Sequence, residues 1–491
     1  MFSDLNYSMK FNWLPWLWLA LGTLFTFLSN GRWTISIATW LAFIFMLRYV
    51  RTQKPVIGLF VGGVITILAY IVGWKGLIPV KGVYYFVISG SIGIIYWLPF
   101  VVDRLFSPKI KGLTSTLLFP FTFVTIELIS LLTNPYLTWG SIAYTQYHFI
   151  LFKQLVSLTG LSGIVFMVTW FGSVVNWAWE QKFVWKKIWK GIIIYTVLIV
   201  SILTYGGVRL MAKHTQAPVV RIAGISINDE LIEEWLDIFK QPDDVECILQ
   251  TILNDYFFRS EKVSELGVDL IMWDEGAILL PERMEDDIIQ QGQQFAKDKQ
   301  IYLLMPLMIL PADAGSFMEN KILLVDPDGK IRFEYNKSAI VPGDGQKKGR
   351  GILPVEDTAL GKIGAAICFD MDDSRLIQQA GAAHIDLLLV PADDWEAIDP
   401  IHSRMASFRA IENGCSLVRT TREAVSESYD SRGQVLASAS VETPDHIMIA
   451  NVNVQASWTL YPNVKELFAL LNMAGLIVML IIGCIRNKKN T

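Results

Sequence analysis

Cysteine, histidine and charged residues are all scarce in this chain. Its 491 residues include five histidines and four cysteines, and no two of the cysteines have CxxC spacing. The sequence therefore predicts neither a zinc site nor a disulfide framework. The histidines are scattered and the sequence has no glycine-rich phosphate loop, so it predicts no metal and no organic cofactor. A net charge of −4 gives no indication of a nucleic-acid partner.

Hydrophobic residues are abundant instead. They make up 52% of the chain, and charged residues make up 18%, against about a quarter in soluble proteins. A helix that crosses the hydrocarbon core needs about 20 mostly apolar residues. Eight blocks are therefore predicted as membrane spans, of which the second is the shortest: Phe11–Leu28, Trp33–Leu47, Val56–Gly73, Val83–Val102, Leu113–Thr133, Leu161–Trp179, Ile188–Tyr205 and Leu467–Ile485.

The lysines and arginines between these blocks predict an orientation. With the N-terminus in the cytoplasm, 13 of them lie in inside segments, and four lie in outside loops: Arg32, Lys75, Lys81 and Lys153. Cytoplasmic loops are the ones that carry such an excess. The sequence thus predicts a seven-helix transmembrane domain at 1–211, an extracytoplasmic domain at 217–458, and a final span with a basic cytoplasmic tail at 466–491.

The extracytoplasmic region alternates between short β-rich runs and helical stretches. APVVRIAGISIN (217–228) and GKIGAAICFD (361–370) have the composition of buried strands, and ENKILLVDPDGKIRFEYNK (319–337) is typical of a hairpin. DDVECILQTILNDYFFRSEKVSELG (243–267) has apolar residues at helical spacing. Strands that alternate with helices predict a layered α/β domain.

Three polar residues, Glu275, Lys337 and Cys368, lie at or just past the ends of predicted strands. Each has an ordinary interpretation when taken alone, as a solvated acid, a surface lysine and a buried structural cysteine. Their chemistry also fits together. A thiolate is a strong nucleophile, a carboxylate can take the thiol proton, and an ammonium lowers the thiol pKa and stabilises an oxyanion.

This order of Glu, Lys and Cys resembles the nitrilase, or carbon–nitrogen hydrolase, superfamily. Seven spans, an outward domain and a closing span are similar to its membrane branch, the apolipoprotein N-acyltransferases. The stretches that resemble motifs of that branch are ELISLLTNPYLTWGSIAYTQYHF (127–149), YNKSAIVP (335–342), ICFD (367–370), PADDW (391–395) and HSRMASFRAIENG (402–414). The resemblance implies a nitrilase-like α-β-β-α sandwich inserted between helices 7 and 8 of an eight-helix protein in the cell membrane of a bacterium, with the catalytic domain on the outer face.

The resemblance also implies the reaction. Cys368, deprotonated by Glu275 and assisted by Lys337 at the oxyanion, would take a fatty acyl chain from a phospholipid as a thioester. The chain would then pass to the N-terminal cysteine amine of a lipoprotein. The partners implied are therefore a phospholipid acyl donor, a lipoprotein acceptor and the membrane. A membrane-tethered amide hydrolase and a non-catalytic relative remain as alternatives.

Several positions depart from the family's motifs. Asp274 stands where the family has Pro, and Asp370 stands where it has Glu. Asp344, a possible second catalytic acid, lies one position before the family's Glu. The family's Thr-Asn-x-Gly has become Thr-Arg-Glu-Ala at 421–424. These changes leave the identity of the acceptor and the efficiency of the reaction open.

Two further features have two interpretations each. Glu127, in the fifth apolar block, is either a functional or paired acid or a helix-end residue that reaches the interface. The apolar runs at 276–281 and 305–318 are either loops that dip into the membrane interface or ordinary core strand and turn. Interfacial loops would suit a lipid donor, since each CH₂ moved into water costs about 0.8 kcal/mol.

Overall fold

The computed structural model describes residues 13–29, 31–212, 218–227, 231, 245–313 and 315–488. The predicted starts at residues 11 and 217, the strand end at 228 and the tail beyond 488 lie outside these residues. The chain divides into two compact units. One consists of the residues up to Ile126, Val165–Val200 and the residues from Ala469, and the other consists of Glu127–Ile164 and Ser201–Phe468.

The first half of the chain is helical. Its helices are α1 Leu14–Leu28, α2 Ser36–Thr52, α3 Pro55–Gly73, α4 Val83–Phe106, α5 Leu118–Thr133, α6 Ile150–Lys153, α7 Val156–Thr159, α8 Leu161–Glu180 and α9 Trp185–Met211. Among the described residues, six helical segments are long and apolar enough to cross a membrane, five of them here and one at Leu467–Arg486. Helices α1 and α2, with 15 and 17 residues, are shorter than those six. The described residues thus contain six apolar helices that fit a membrane protein, and the count of eight spans stays a prediction.

A buried ion pair joins α2 to α4 in the first unit. Arg51 donates to both carboxylate oxygens of Asp103 at 2.7 and 2.8 Å, and Asp103 is fully buried. Arg51 also reaches Glu180 in α8 at 3.2 Å. Because an unpaired charge in this setting is costly, this bidentate pair fixes the register of α2 against α4. Asp103 lies just beyond the predicted end of the fourth block, which is why the apolar pattern did not include it.

The second half of the chain contains the strands. They are β1 Val219–Ile225, β2 Leu270–Trp273, β3 Ile278–Pro281, β4 Tyr302–Leu310, β5 Glu319–Val325, β6 Ile331–Asn336, β7 Val355–Thr358, β8 Gly361–Ala365, β9 Leu387–Asp393, β10 Ser416–Arg422, β11 Ser426–Tyr429, β12 Val435–Ala439 and β13 Ile447–Asn453. The helices are α10 Val245–Ser264, α11 Glu285–Lys299, α12 Ser374–Ala382, α13 Ile401–Asn413, α14 Tyr461–Val464 and α15 Leu467–Lys488.

These strands form two mixed sheets that pack face to face. One has the order β13-β1-β2-β4-β5-β6, with β3 paired to β4, and the other has the order β12-β11-β10-β9-β8-β7. Apolar residues of both sheets, such as Ile222 and Leu304 in one and Ile363 and Leu389 in the other, share a single core. Helices α10 and α11 pack on the first sheet, and α12 and α13 belong to the layer on the second. The α-β-β-α layering predicted for this region is confirmed.

The two apolar runs belong largely to this core. Residues 278–281 form β3 and residues 302–310 form β4, and Leu279 and Leu307 are buried. The interpretation of these runs as interfacial loops is therefore wrong for their strand residues, because the strands pair with each other and α10 packs against β3. Phe317, in the turn that follows β4, is exposed.

Asp370 connects the two sheets at the ends of β6 and β8. Its Oδ1 accepts hydrogen bonds from the backbone N–H groups of Ser338 and Ala339 at 3.0 and 2.6 Å. Its Oδ2 accepts from the hydroxyl of Tyr335 at 2.8 Å and from the N–H of Ile367 at 2.9 Å. The carboxylate is fully buried and receives four donors, so it ties the loop after β6 to the turn after β8.

We expect Asp370→Asn to lower the stability of the full-length protein by about 2–5 kcal/mol. An amide has only one acceptor oxygen, so two of the four buried donors would lose their partner, at about 1–3 kcal/mol each. The thermal midpoint in detergent, followed by circular dichroism, measures this loss.

Asp326→Asn is the matched control. Oδ1 of Asp326 accepts the N–H groups of Asp328 and Lys330 in the β5–β6 turn, a role that an amide oxygen can keep. Equal midpoints for the two variants would contradict the structural role given to Asp370.

Candidate active site

Cys368 lies in a sharp turn, three residues after the end of β8. The turn Cys368–Asp372 is one short 3₁₀ helix, and all five of its residues are buried. Cys368 has a φ of +43°, in the left-handed region that residues other than glycine rarely adopt. Residues held in this region often mark functional sites. The sulfur lies 3.7 Å from the carbonyl oxygen of Asp393.

Glu275 and Lys337 form a buried ion pair. Nζ of Lys337 donates to Oε1 of Glu275 at 2.7 Å, and Nδ2 of Asn320, in β5, donates to the same oxygen at 2.7 Å. The N–H of Glu275 donates to the carbonyl of Ala392 in β9, which ties this acid to the second sheet. In the described part of the chain, no donor reaches the buried Oε2 of Glu275. This oxygen can therefore accept a proton.

Both members of the ion pair act on the Cys368 thiol. Burial raises the pKa of the thiol to about 11 and Glu275 adds to this effect, whereas Lys337 and His402 lower it. Burial opposes the charge on Lys337, but Glu275 and Cys368 outweigh it and hold the pKa of Lys337 above its ordinary value. At neutral pH the thiol is thus protonated at rest and faces a permanent cation. Such a site suits removal of the thiol proton during attack.

Asp274 and Asp344, two acids near the ion pair at positions that differ from the family's motifs, have different surroundings. Asp274 is buried and accepts a hydrogen bond from the hydroxyl of Tyr256, and burial raises its pKa to about 6. Asp344 is half-buried, and burial also raises its pKa, with opposing effects from Lys337 and Glu275. Asp344 therefore lies within electrostatic range of the pair, and its role as a second acid stays a prediction.

His402, in the first turn of α13, lies beside Cys368 and was not predicted from the sequence. Its Nδ1 is 2.7 Å from Asp394 and its Nε2 is 2.8 Å from Asp372. Arg419 donates to both oxygens of Asp394 at 2.8 Å. Burial opposes protonation of the ring, but the two carboxylates outweigh it and hold the pKa of His402 well above its usual value. All four side chains of this network are buried.

Three residues around the His402 ring could in principle bind a metal ion. The Cys368 sulfur, a ring nitrogen of His402 and a carboxylate oxygen of Asp394 lie within 4.8 Å of one another. However, each ring nitrogen already faces a carboxylate, and Arg419 engages both oxygens of Asp394. The donor atoms are thus engaged in hydrogen bonds, which fits a charge network better than a metal site.

Glu127 stands at the start of a segment that lies against this network. Its carboxylate accepts hydrogen bonds from the hydroxyl of Ser141 at 2.6 Å and from the N–H of Ile142 at 3.0 Å. These contacts cap the short helix Ile142–Gln146. The structure therefore favours the interpretation of Glu127 as a paired acid, and its support of catalysis stays a prediction.

Two neighbours in this segment contact the turn and the network. Thr138 donates to the carbonyl oxygen of Asp372 from its hydroxyl at 2.7 Å and from its N–H at 3.3 Å. The ring of Trp139 packs edge-on against His402, with 5.4 Å between ring centroids. Residues that precede the sandwich in sequence by more than 70 positions thus form part of the wall around Cys368.

Comparisons with known proteins agree with this architecture. The carbon–nitrogen hydrolase family matches residues 226–459. The apolipoprotein N-acyltransferase of Geobacter metallireducens is 24% identical over 402 residues, which cover 75% of this chain and 74% of that protein. The same enzyme from Rickettsia typhi is 20% identical over 336 residues, which cover 63% of this chain and 65% of that protein, slightly less than two thirds of its length.

A solved structure is also similar to the sandwich. An amidase from Nesterenkonia sp. is 17% identical, with a TM-score of 0.40, over 53% of this chain and 98% of the amidase. The chain is thus a membrane protein with residues 226–459 similar to the carbon–nitrogen hydrolase family, and it resembles the apolipoprotein N-acyltransferases over most of its length.

Proposed function

We propose that the protein is a membrane N-acyltransferase that moves a fatty acyl chain from a phospholipid to the N-terminal amine of a lipoprotein. The observation that carries the proposal is the Glu275–Lys337 ion pair beside the strained Cys368, in a chain with six apolar helices. The similarity to proteins named apolipoprotein N-acyltransferase supports the choice of substrates.

In the first half-reaction, Oε2 of Glu275 takes the thiol proton as the Cys368 sulfur attacks the carbonyl carbon of a phospholipid acyl ester. Lys337 stabilises the oxyanion that forms. When the tetrahedral intermediate collapses, the C–O bond breaks and the proton held by Glu275 passes to the departing glycerol oxygen. The products are a thioester on Cys368 and a lysophospholipid.

In the second half-reaction, the amine of the acceptor attacks the thioester. Glu275 takes a proton from the nitrogen, the C–S bond breaks, and Glu275 passes that proton to the departing sulfur, which restores the thiol of Cys368. The thiol pKa of about 11 explains why a base is needed, because at pH 7 only about one molecule in 10,000 would hold a free thiolate.

The membrane segments support the choice of a lipid donor. We propose eight spans, with α1 and α2 added to the six apolar helices, and a sandwich inserted between the last two spans on the outer face. The bias of lysine and arginine along the chain supports this orientation. Two flanking spans would hold the thiol near the outer leaflet, so that an acyl ester need not be lifted fully into water.

We expect the purified full-length protein, incubated with phospholipid vesicles, to gain the mass of one acyl chain on the Cys368 peptide. The adduct should be released by hydroxylamine, as a thioester is, and it should persist until a peptide with a free N-terminal amine is added. Mass spectrometry of the digested protein measures each step. Cys368→Ala should give no adduct, whereas Cys415→Ala, which removes another buried cysteine of the same domain, should retain it.

The competing functions predict other results. Discharge of the thioester without any amine would indicate an amide hydrolase that uses water. No adduct on Cys368 under any condition would indicate a non-catalytic relative.

Glu275 and Lys337 should have opposite effects on thiol reactivity. Because Glu275 raises the pKa of the Cys368 thiol and Lys337 lowers it, Glu275→Gln should speed alkylation of Cys368 by iodoacetamide at pH 8, and Lys337→Met should slow it. In the wild type, the alkylation rate should rise about tenfold per pH unit from pH 7 to 10, since the thiolate fraction grows at that rate below the pKa. Both variants should slow acyl transfer by about 10²-fold or more.

Glu334→Gln is the control for the glutamate substitution. Glu334 lies on β6, is partly exposed and pairs with Lys321, so both rates should stay within twofold of the wild type. Slower alkylation in Glu275→Gln than in the wild type would contradict the proposed electrostatics.

A further inference from the structure

The His402 network places further charged groups next to the proposed nucleophile, in addition to the Glu275–Lys337 ion pair. Two acids and two basic groups lie within one hydrogen-bonded cluster, and every member is buried. Burying four ionisable side chains is costly unless each is paired. A structural tie between α13 and the turn would need only one of these contacts.

The position of His402 at a helix N-terminus disfavours a positive charge on its ring. It lies in the first turn of α13, where the helix dipole disfavours a cation. The ring nitrogens face Asp394 at 2.7 Å and Asp372 at 2.8 Å, and an N–H of Arg419 lies 3.0 Å from Nδ1. Two carboxylates against one ring favour its doubly protonated form, the imidazolium, in which each nitrogen donates to one acid. Arg419 keeps Asp394 ionised by donating to both of its oxygens, and it lowers the pKa of that acid. The cluster thus maintains a cation where the helix opposes one.

That cation lies within reach of the sulfur. A ring nitrogen of His402 and the Cys368 sulfur are within 4.8 Å of each other. Lys337, from the loop after β6, and His402, from α13, are thus two cations that act on one thiol. Five other charged groups face the Cys368 thiol or the His402 ring: Glu275 after β2, Lys337 after β6, Asp372 in the turn, Asp394 after β9 and Arg419 in β10.

We propose that His402 is a positioning residue, whose fixed imidazolium stabilises the Cys368 sulfur as an anion during attack and during release of the thioester. The inference rests on the proposed role of Cys368 as the nucleophile. Asp394 and Asp372 orient the ring, Arg419 fixes Asp394, and Trp139 covers one side of the ring. His402 exchanges no proton with substrate, and its contribution is electrostatic.

The test is the alkylation rate of Cys368 by iodoacetamide in full-length His402→Gln protein. The neutral amide removes the cation, so the rate constant should fall at least tenfold at each pH from 7 to 9, which corresponds to an upward shift of one pH unit in the thiol pKa. A purely structural tie would leave this rate unchanged in a folded variant. Rates within twofold of the wild type, in a variant with a normal circular dichroism spectrum, would overturn the proposal.

Lys153→Met is the matched control. Lys153 is another buried basic side chain, whose Nζ donates to Ser407 on α13 at 3.0 Å and whose pKa burial lowers to about 7. Its loss disturbs the same helix without removing the charge beside the sulfur, so the alkylation rate should not change. An equal fall in this variant would mean that loosening of α13 causes the effect, and the proposal would be wrong.

A measurement on the wild type keeps the proposal testable if His402→Gln does not fold. With ¹⁵N-labelled histidine, one of the five histidines should keep both ring nitrogens protonated at pH 9, and its signals should shift when Cys368 is alkylated. Five neutral rings at pH 9 would overturn the proposal. Neither experiment uses an acyl donor or acceptor, so failure of acyl transfer and failure of the role of His402 are distinguishable.

Discussion

The four hydrogen bonds of the Asp370 carboxylate are the constraint on which the site depends. Lys337 belongs to a loop of the first sheet and Cys368 to a turn of the second, and Asp370 accepts donors from both. Two loops of separate sheets would otherwise be free to shift against each other by the small distances that decide catalysis. Asp370, which stands where the family has Glu, satisfies all four donors and so maintains the contact between the sheets.

Two of the other departures from the family's motifs also have hydrogen-bonded partners. Asp274 accepts a hydrogen bond from Tyr256, and Arg422 donates to Asp393 at 2.6 Å. Asp274 and Arg422 therefore each have a partner close by, and the ion pair of Glu275 with Lys337 is present beside them. Pairing matters at these positions because a buried ionisable group costs stability when it is unpaired.

The sequence predicted the parts of this structure that depend on local patterns. Strand composition located β1, β5, β6, β8 and the ends that carry Glu275, Lys337 and Cys368, and long apolar blocks located the spans. It did not predict His402, Asp394 or Arg419 as a network, because no periodicity relates side chains that meet only after two sheets pack. The run at 305–318 was ambiguous for a related reason, since an apolar strand of the core and an interfacial loop have the same composition.

The segment after α5 shows why the sandwich alone is an incomplete description of the site. Arg409, in α13, donates to the carbonyl of Met371 at 2.8 Å and to the hydroxyls of Thr138 and Tyr144 at 2.9 and 2.7 Å. Thr138 in turn donates to Asp372, one of the two acids that orient His402. The family match begins at residue 226, so these contacts come from outside the domain that defines the chemistry. The turn that carries Cys368 is therefore held from two sides, by Asp370 within the sandwich and by a segment that continues directly from an apolar helix. A soluble domain with the same three polar groups would lack the second of these supports.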